Sequence, residues 1–396
     1  MARYFVILLL IAACLFDKHF QILFGLNKFL LGEFILVGLT LALFALVVYR
    51  RKIAQTNALI YLLLFILMLY GAFISNIFVS IVGGVFLFKT LLAYSAGYFI
   101  YSQEVNLRKV LFFPLMIGYA TLLVSVLQFS GIFETNPFGI VHPNNFGDIN
   151  GIFSTKNKNA QLIVFTFVVQ LIIFRPKKKI VRLIFGVLSF LVVLMTMSRQ
   201  GMIMFLVAIF LMNLTYFKNY KLYLTTVSGV IGIITVFVIY PEIFFGLVPE
   251  AQNILAGDYF RLITFEKSLE VIKDYPIFGL GPGTFGGAVA HTFYPKFNEL
   301  YGLFNFWINS SIAPTTTDVF WSHFIAEAGL VGTLFMIIIL KRIYDKIDIP
   351  IDYCKAFKIL LIATIIFSFF SMNMEAIFTS VIVFFFIGMI IKKYSR

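Results

Sequence analysis

In the stretch LVVLMTMSRQGMIMFLV, residues 191–207, the one charged side chain is Arg199, and no other charge lies between Arg182 and Lys218. A guanidinium in so apolar a run has two uses. It can snorkel to phospholipid headgroups as an interfacial anchor, or its planar fork of donors can grip a phosphate. Asp318 closes PTTTD just before the apolar run VFWSHFIAEAGLVG. It suits a helix N-cap or a general base held at a rigid helix start, and the two roles are compatible.

Other residues carry weaker signals of the same kind. GIFSTKNKNAQL, residues 151–162, places Lys156 and Lys158 around Asn157. They form either a solvated loop end or a lure for an anionic substrate. Gly279-Leu280-Gly281-Pro282-Gly283 holds a GxGxG string. It follows a predicted helix rather than a strand, Pro282 interrupts it and no βαβ pattern surrounds it, so it is not a dinucleotide fingerprint. It is a plain loop, or one whose backbone amides approach an anion. His323 and Glu327 stand one helical turn apart, but no third ligand accompanies them and no metal is expected. Glu33, Lys89 and Glu375 are further ionisable residues in or near apolar runs. Such residues face a cavity or one another, and spacing does not pair them.

The surrounding sequence is 61% hydrophobic and 12% charged over 396 residues, with 50 phenylalanines. A soluble domain has about half apolar and a quarter charged residues, so this composition predicts a polytopic membrane protein. The net charge of +13 does not indicate nucleic acid, because no basic stripe follows one element. The basic residues fall in short clusters between apolar runs, at Arg50-Arg51-Lys52, Arg108-Lys109, Arg175 to Arg182, Lys218 to Lys221, Lys341-Arg342 and Lys392-Lys393. That is the pattern of cytoplasmic loops. Cys14 and Cys354 build no disulfide framework, and Cys354 is expected in a cytoplasmic loop. Ile11-Ala12-Ala13-Cys14 fits a lipoprotein cleavage site. With many spans following, a first transmembrane helix is the expected reading.

A helix crosses the hydrocarbon with about 20 apolar residues. Spans are expected near 4–16, 29–49, 58–78, 81–101, 110–130, 160–174, 183–197, 201–216, 222–240, 319–340, 356–374 and 377–391. The fold class is therefore an all-α polytopic membrane protein of about 12 transmembrane helices, one integral domain over 1–396. Residues 183–216 as one helix would be about 51 Å long, against a hydrocarbon about 30 Å thick. They must form a hairpin with Ser198-Arg199-Gln200 at its tip. Basic clusters on both sides put the tip outside, together with 131–159 and 241–318, and both termini inside. The long extracytoplasmic loop 241–318 carries a short amphipathic helix through FRLITFEKSLEVIKDY. Asp258 caps it, Pro276 stops it and Arg261 sits in its first turn. Phe260, Ile263, Leu269 and Ile272 mark an apolar face that lies on the membrane surface or against the bundle.

Four strings in order resemble the O-antigen ligase and O-antigen polymerase superfamily. Gly151-Ile152-Phe153 with Lys156-Asn157 and Ala160 is similar to its G-x-F…K-N-x-x-A segment. Thr196-Met197-Ser198-Arg199-Gln200-Gly201 resembles its T-x-S-R-x-G hairpin. Arg261 followed by Pro276, Gly279, Gly281 and Phe285 looks like its R…P-x-x-G-x-G-x-x-x-F pattern. Asp318 with Glu327-Ala328-Gly329-Leu330-Val331-Gly332 matches the start of the following helix. The resemblance covers roughly residues 150–335. Ligase members usually carry His-Asn where this chain has Asp318-Val319, and His323 does not fill that position. The aspartate turns the resemblance toward capsule or exopolysaccharide polymerases.

The resemblance implies a polymerase joining polyprenyl-diphosphate-linked oligosaccharide repeat units on the outer face of a bacterial cytoplasmic membrane. A ligase or a lipid-linked glycan flippase is the alternative. It implies an inverting, metal-independent glycosyltransferase with no cofactor. Its partners would be membrane lipid, a flippase and a chain-length regulator, and no nucleic acid. Arg199 and Arg261 would stabilise the departing diphosphate, and Asp318 would take the acceptor proton. Lys156, Asn157, Ser198 and Gly281 are the candidate substrate contacts.

Overall fold

The computed structural model describes residues 2–15, 55–130, 132, 149, 151–153, 156–196, 198–214, 260–303, 319–369 and 379–394. Among them the chain is nearly all helix, with no strand. The helices are α1 (Ala2–Leu15), α2 (Gln55–Ile74), α3 (Ile77–Ile100), α4 (Leu107–Phe129), α5 (Lys156–Ile172), α6 (Lys179–Met195) and α7 (Arg199–Met212). They continue as α8 (Phe260–Asp274), α9 (Ala288–Phe293), α10 (Lys296–Leu300), α11 (Phe320–Ile347), α12 (Asp352–Ser368) and α13 (Thr379–Tyr394). The expected spans 29–49 and 222–240 lie outside the described residues. The other expected spans fall on helices with shifted ends. Of these, α2, α3, α4 and α11 are long and apolar enough to cross a membrane by length and composition. Such runs are helical because a helix satisfies its own backbone where no water is present to do so. α2 leaves Leu62, Phe65, Leu69 and Phe73 exposed at helical spacing, the kind of surface that hydrocarbon covers.

Small residues let the central helices touch. A Cβ at Gly97 would stand 1.9 Å from the Phe385 carbonyl oxygen, and one at Gly388 would stand 2.0 Å from that of Tyr94. α3 and α13 therefore meet backbone to backbone, a packing that only glycine permits.

Contacts sort the helix ends into two sets. Lys346 Nζ donates to Thr56 Oγ1 at 2.8 Å, and Tyr4 Oη donates to the Glu104 carbonyl at 3.1 Å. Arg108 lies over Phe174, Lys392 over Tyr98 and Lys393 over Tyr353. These bonds gather the starts of α1, α2, α4 and α12 with the ends of α3, α11 and α13, and nearly all the basic clusters among the described residues. The opposite end holds the starts of α5, α7 and α11. Trp321 Nε1 donates there to Ser368 Oγ at 2.8 Å.

Three expectations change. Cys354 is not in a loop but in the first turn of α12, buried; that helix starts at Asp352, whose acid suits a helix N-terminus. α11 runs on to Ile347 and is broken at Gly329, where φ is 65° and ψ is −171°. On α8 the buried stripe is Ile263, Thr264, Ser268 and Val271, while Leu269 is 46% exposed. α8 packs against α11. Ser268 can be buried because its hydroxyl donates to the Phe265 carbonyl at 2.6 Å.

Candidate functional site

The expected hairpin is present as α6, which ends in a turn at Thr196, and α7, which starts after Ser198. Ser198 caps α7, its Oγ accepting from the Gly201 N–H at 3.0 Å. Arg199 is thus the first residue of α7; its backbone is helical and its side chain lies outside the described part. The same Ser198 hydroxyl donates to Asn157 Oδ1 at 2.7 Å. Asn157 follows Lys156 in the first turn of α5, so α5 and α7 begin side by side. One turn on, a Cβ at Gly201 would stand 2.3 Å from that of Ala160. Further along, the Phe167 and Phe205 rings lie 4.6 Å apart. The two helices are parallel, and the positive ends of both dipoles meet at one corner. Lys156 and Lys158, half-buried, add their charges to it.

α5 starts at Lys156, earlier than the span expected from 160. Asn159 Nδ2 donates to Ser125 Oγ and to the Ile149 carbonyl, each at 3.0 Å. The Gly151 N–H donates to Gln128 Oε1 at 3.0 Å. The end of α4 thereby holds 149–153 and sets the first turn of α5. Lys156 and Asn157 are helix-start residues rather than a loose loop end.

A second corner is built around the glycine string. At the break in α11, the N–H groups of Leu330 and Val331 donate to the carbonyls of Pro276 and Ile277 at 3.0 and 3.1 Å. The carbonyls of Ala326 and Glu327 accept from Leu280 and Gly281 at 2.9 and 3.0 Å. The turn 276–281 thus supplies the partners that the helix break removes. Glu327 is fully buried, and its carboxylate accepts from the Gly283 N–H at 2.8 Å and the Phe285 N–H at 2.9 Å. His323 Nε2 lies 2.9 Å from the same carboxylate. The Gly286 N–H donates to Asn298 Oδ1 at 2.8 Å. Gly281 has φ of +87°, and a Cβ there would stand 2.5 Å from Gly71 Cα. Tyr301 Oη donates to Asp274 Oδ2 at 2.7 Å, tying the end of α10 to the end of α8. Burial, and then this bond, push the Tyr301 phenol above its ordinary pKa.

The loop does hold an anion with its amides, but that anion is the carboxylate of Glu327. The Gly281 amide is already taken by the Glu327 carbonyl. The cap of α11 is Val319, with φ of −133° and ψ of 117° and no side-chain capping bond. Asp318 therefore precedes the cap position instead of filling it, and lies outside the described residues. Asp258, Glu33 and Glu375 lie outside them as well. Arg261 is in the first turn of α8, its side chain outside the described part.

The structure joins Lys156, Asn157, Ser198 and the backbone of Arg199 at one corner. It joins Gly281 and the C-terminal end of the Arg261 helix at the other. α12 packs on α5 and α7 and also on α11, so the Ser368 end of α12 stands between the two corners. Sequence reasoning missed Gln128 and Asn159; a polar residue within two positions of the end of an apolar run was the available signal. Among the described residues no group of three His, Cys, Asp or Glu side chains is placed to hold a metal ion.

Residues 184–337 match the family model described as O-antigen ligase, a stretch that includes α6, α7, α8, the glycine loop and the first part of α11. The match supports the O-antigen ligase/polymerase superfamily for this chain, and with it membrane glycan processing of the ligase or polymerase type. No curated protein matches the chain.

Proposed function

We propose that the chain is a polysaccharide polymerase that joins polyprenyl-diphosphate-linked repeat units on the outer face of the cytoplasmic membrane. The observation that carries this is the Ser198–Asn157 bond between the parallel starts of α5 and α7. It gathers Lys156, the Arg199 position and two positive dipole ends where a diphosphate would be held. The anomeric carbon of the donor already bears a good leaving group, so the reaction needs stabilised negative charge more than a strong acid. Asp318 takes the proton of the acceptor hydroxyl, and the freed oxygen attacks the anomeric carbon opposite the diphosphate. The bond to the diphosphate breaks, its charge spreads onto Arg199 and Arg261, and the anomeric centre inverts. Lys156, Asn157 and Ser198 orient the donor, and Gly281 serves through the loop it shapes. The basic end of the bundle faces the cytoplasm, with both termini. Spans 29–49 and 222–240 complete a set of about 12, and 241–318 is the extracytoplasmic loop. A flippase and a chain-length regulator work beside the enzyme.

The description of the matching family favours a second reading, an O-antigen ligase that passes glycan to a lipid or protein acceptor. Asp318-Val319, and the burial of His323 against Glu327, support the polymerase. Pure protein in detergent, given polyprenyl-diphosphate repeat units, should build a ladder on the carrier. Transfer only to a lipid A-type or protein acceptor would establish the ligase. No donor consumption by folded protein would leave a flippase. Ser130→Cys, at the exposed end of α4 beside this corner, should react with an impermeant maleimide in intact cells; labelling only after permeabilisation would place the corner in the wrong compartment.

A further inference from the structure

The buried pair Glu327–His323 has no part in the chemistry above, yet it lies where the glycine loop meets the first half of α11. The N–H groups of Gly283 and Phe285 converge on its carboxylate, while the backbone of Glu327 receives Gly281. The loop is closely packed on both sides: a Cβ at Gly83 of α3 would stand 2.2 Å from Gly283 N, and on the α11 side one at Gly287 would stand 2.6 Å from His323 Cε1. Tyr70 Oη adds a bond to the Gly279 carbonyl at 3.1 Å. The loop is held between the α2–α3 hairpin and the first half of α11, with Glu327 on its inner side.

We propose that Glu327 is a positioning residue for the glycosyl transfer, acting as a carboxylate anion that sets the direction of α8 and so the place of Arg261. This rests on the polymerase reading. α8 runs directly into the loop through Tyr275 and Pro276. From Arg261 to Asp274 the helix is about 20 Å long at 1.5 Å per residue. A tilt of about 10° at its anchored end would carry Arg261 roughly 3.5 Å, when misplacement by about 1 Å can cost about 100-fold in rate. α8 is therefore a lever and the Glu327 cradle is its mount. A carboxylate suits the mount because it offers two acceptor oxygens, and bonds from N–H to an anion are shorter and stronger than neutral ones. Glu327→Gln keeps the shape but offers one acceptor and sets its NH2 against the second backbone donor. A buried donor left unpaired is then expected to loosen the loop. Glu327 touches no reacting atom, so its loss should lower kcat while the KM for the donor stays near its starting value.

The test uses the full chain with Cys14 and Cys354 replaced by Ala. Spin labels are placed at Glu266→Cys on α8 and Lys341→Cys on α11, both exposed positions outside the cradle. Pulsed EPR reads the distance between them, and the ladder assay reads turnover. The parent should give one narrow distance. Glu327→Gln should broaden it and lower kcat by about 100-fold, with KM for the donor within about 3-fold. Glu327→Asp, shorter but still charged, should fall between the two in both readouts, and it keeps the proposal testable should the Gln variant fail to accumulate. A narrow distance with lost turnover would overturn the proposal, since Glu327 would then act by another route. A broad distance with full turnover would overturn it too, since the lever would not matter. Failure of the polymerase reading would show as no ladder from the parent, and the distance arm would still report on the mount.

Discussion

The corner at α5 and α7 and the corner at α8 and α11 are held in opposite ways. In the first, one side-chain hydroxyl joins the starts of α5 and α7: Ser198 Oγ accepts from Gly201 and donates to Asn157. Lys156 and Lys158 stand half-buried in the first turn of α5. The second is a dense lattice of backbone bonds around Glu327 in which the loop amides at 279–281, 283 and 285–287 are all taken. Under the proposed function, the lightly bonded corner would admit the lipid-linked sugar and the densely bonded one would keep the reference geometry.

The comparison can be broken at the chemistry. Asp318→Asn should lower turnover by about 10²–10⁴-fold, as loss of a general base does, with protein levels unchanged because the cap of α11 belongs to Val319. Asp318→His should retain part of the activity; near-normal turnover of the Asn variant would remove Asp318 from the mechanism. Arg199→Lys and Arg261→Lys should each cost about 10²–10³-fold, comparable to loss of one transition-state donor, because lysine keeps the charge and loses the fork. Lysine variants as active as the parent would return both residues to headgroup anchors.

Two milder changes sharpen the contrast. Gly281→Ala puts a methyl into Gly71 at a φ of +87°, a conformation that disfavours any side chain. Membrane accumulation should fall several-fold, read by immunoblot and by fluorescence-detected chromatography. Ser198→Ala removes only a cap and one side-chain bond, at about 1 kcal/mol. Protein yield should hold and turnover should drop by less than about 10-fold. If Ser198→Ala proved the more damaging to accumulation, the lightly bonded and densely bonded corners would have to exchange roles.

Much of this was legible in the residues. The run around Arg199 is too long for one span and must turn, and it turns at Ser198. Among the described residues the basic clusters gather at one end of the bundle. The glycine string reads as a plain loop or as one whose amides approach an anion, and a sequence does not print which, nor that the anion is Glu327. Glu327 lies dozens of residues away and reaches the loop only because α11 breaks at Gly329. That break was hidden because Ala-Gly-Leu-Val-Gly reads as ordinary apolar helix, and a positive φ leaves no trace in hydropathy. On α8, hydrophobic periodicity finds Ile263 and Leu269, while the residues that the structure buries also include Thr264 and Ser268, whose burial leaves no trace in hydropathy.

The broken helix also limits how this protein can be recombined with its relatives. Residues 276–281 and 326–331 complete one another's backbone bonds, so neither segment is a self-sufficient module. A chimera that imports the loop alone would bring carbonyls and amides cut to a different partner and strand polar groups in a buried place. Any swap meant to change sugar preference has to carry both segments across the seam together.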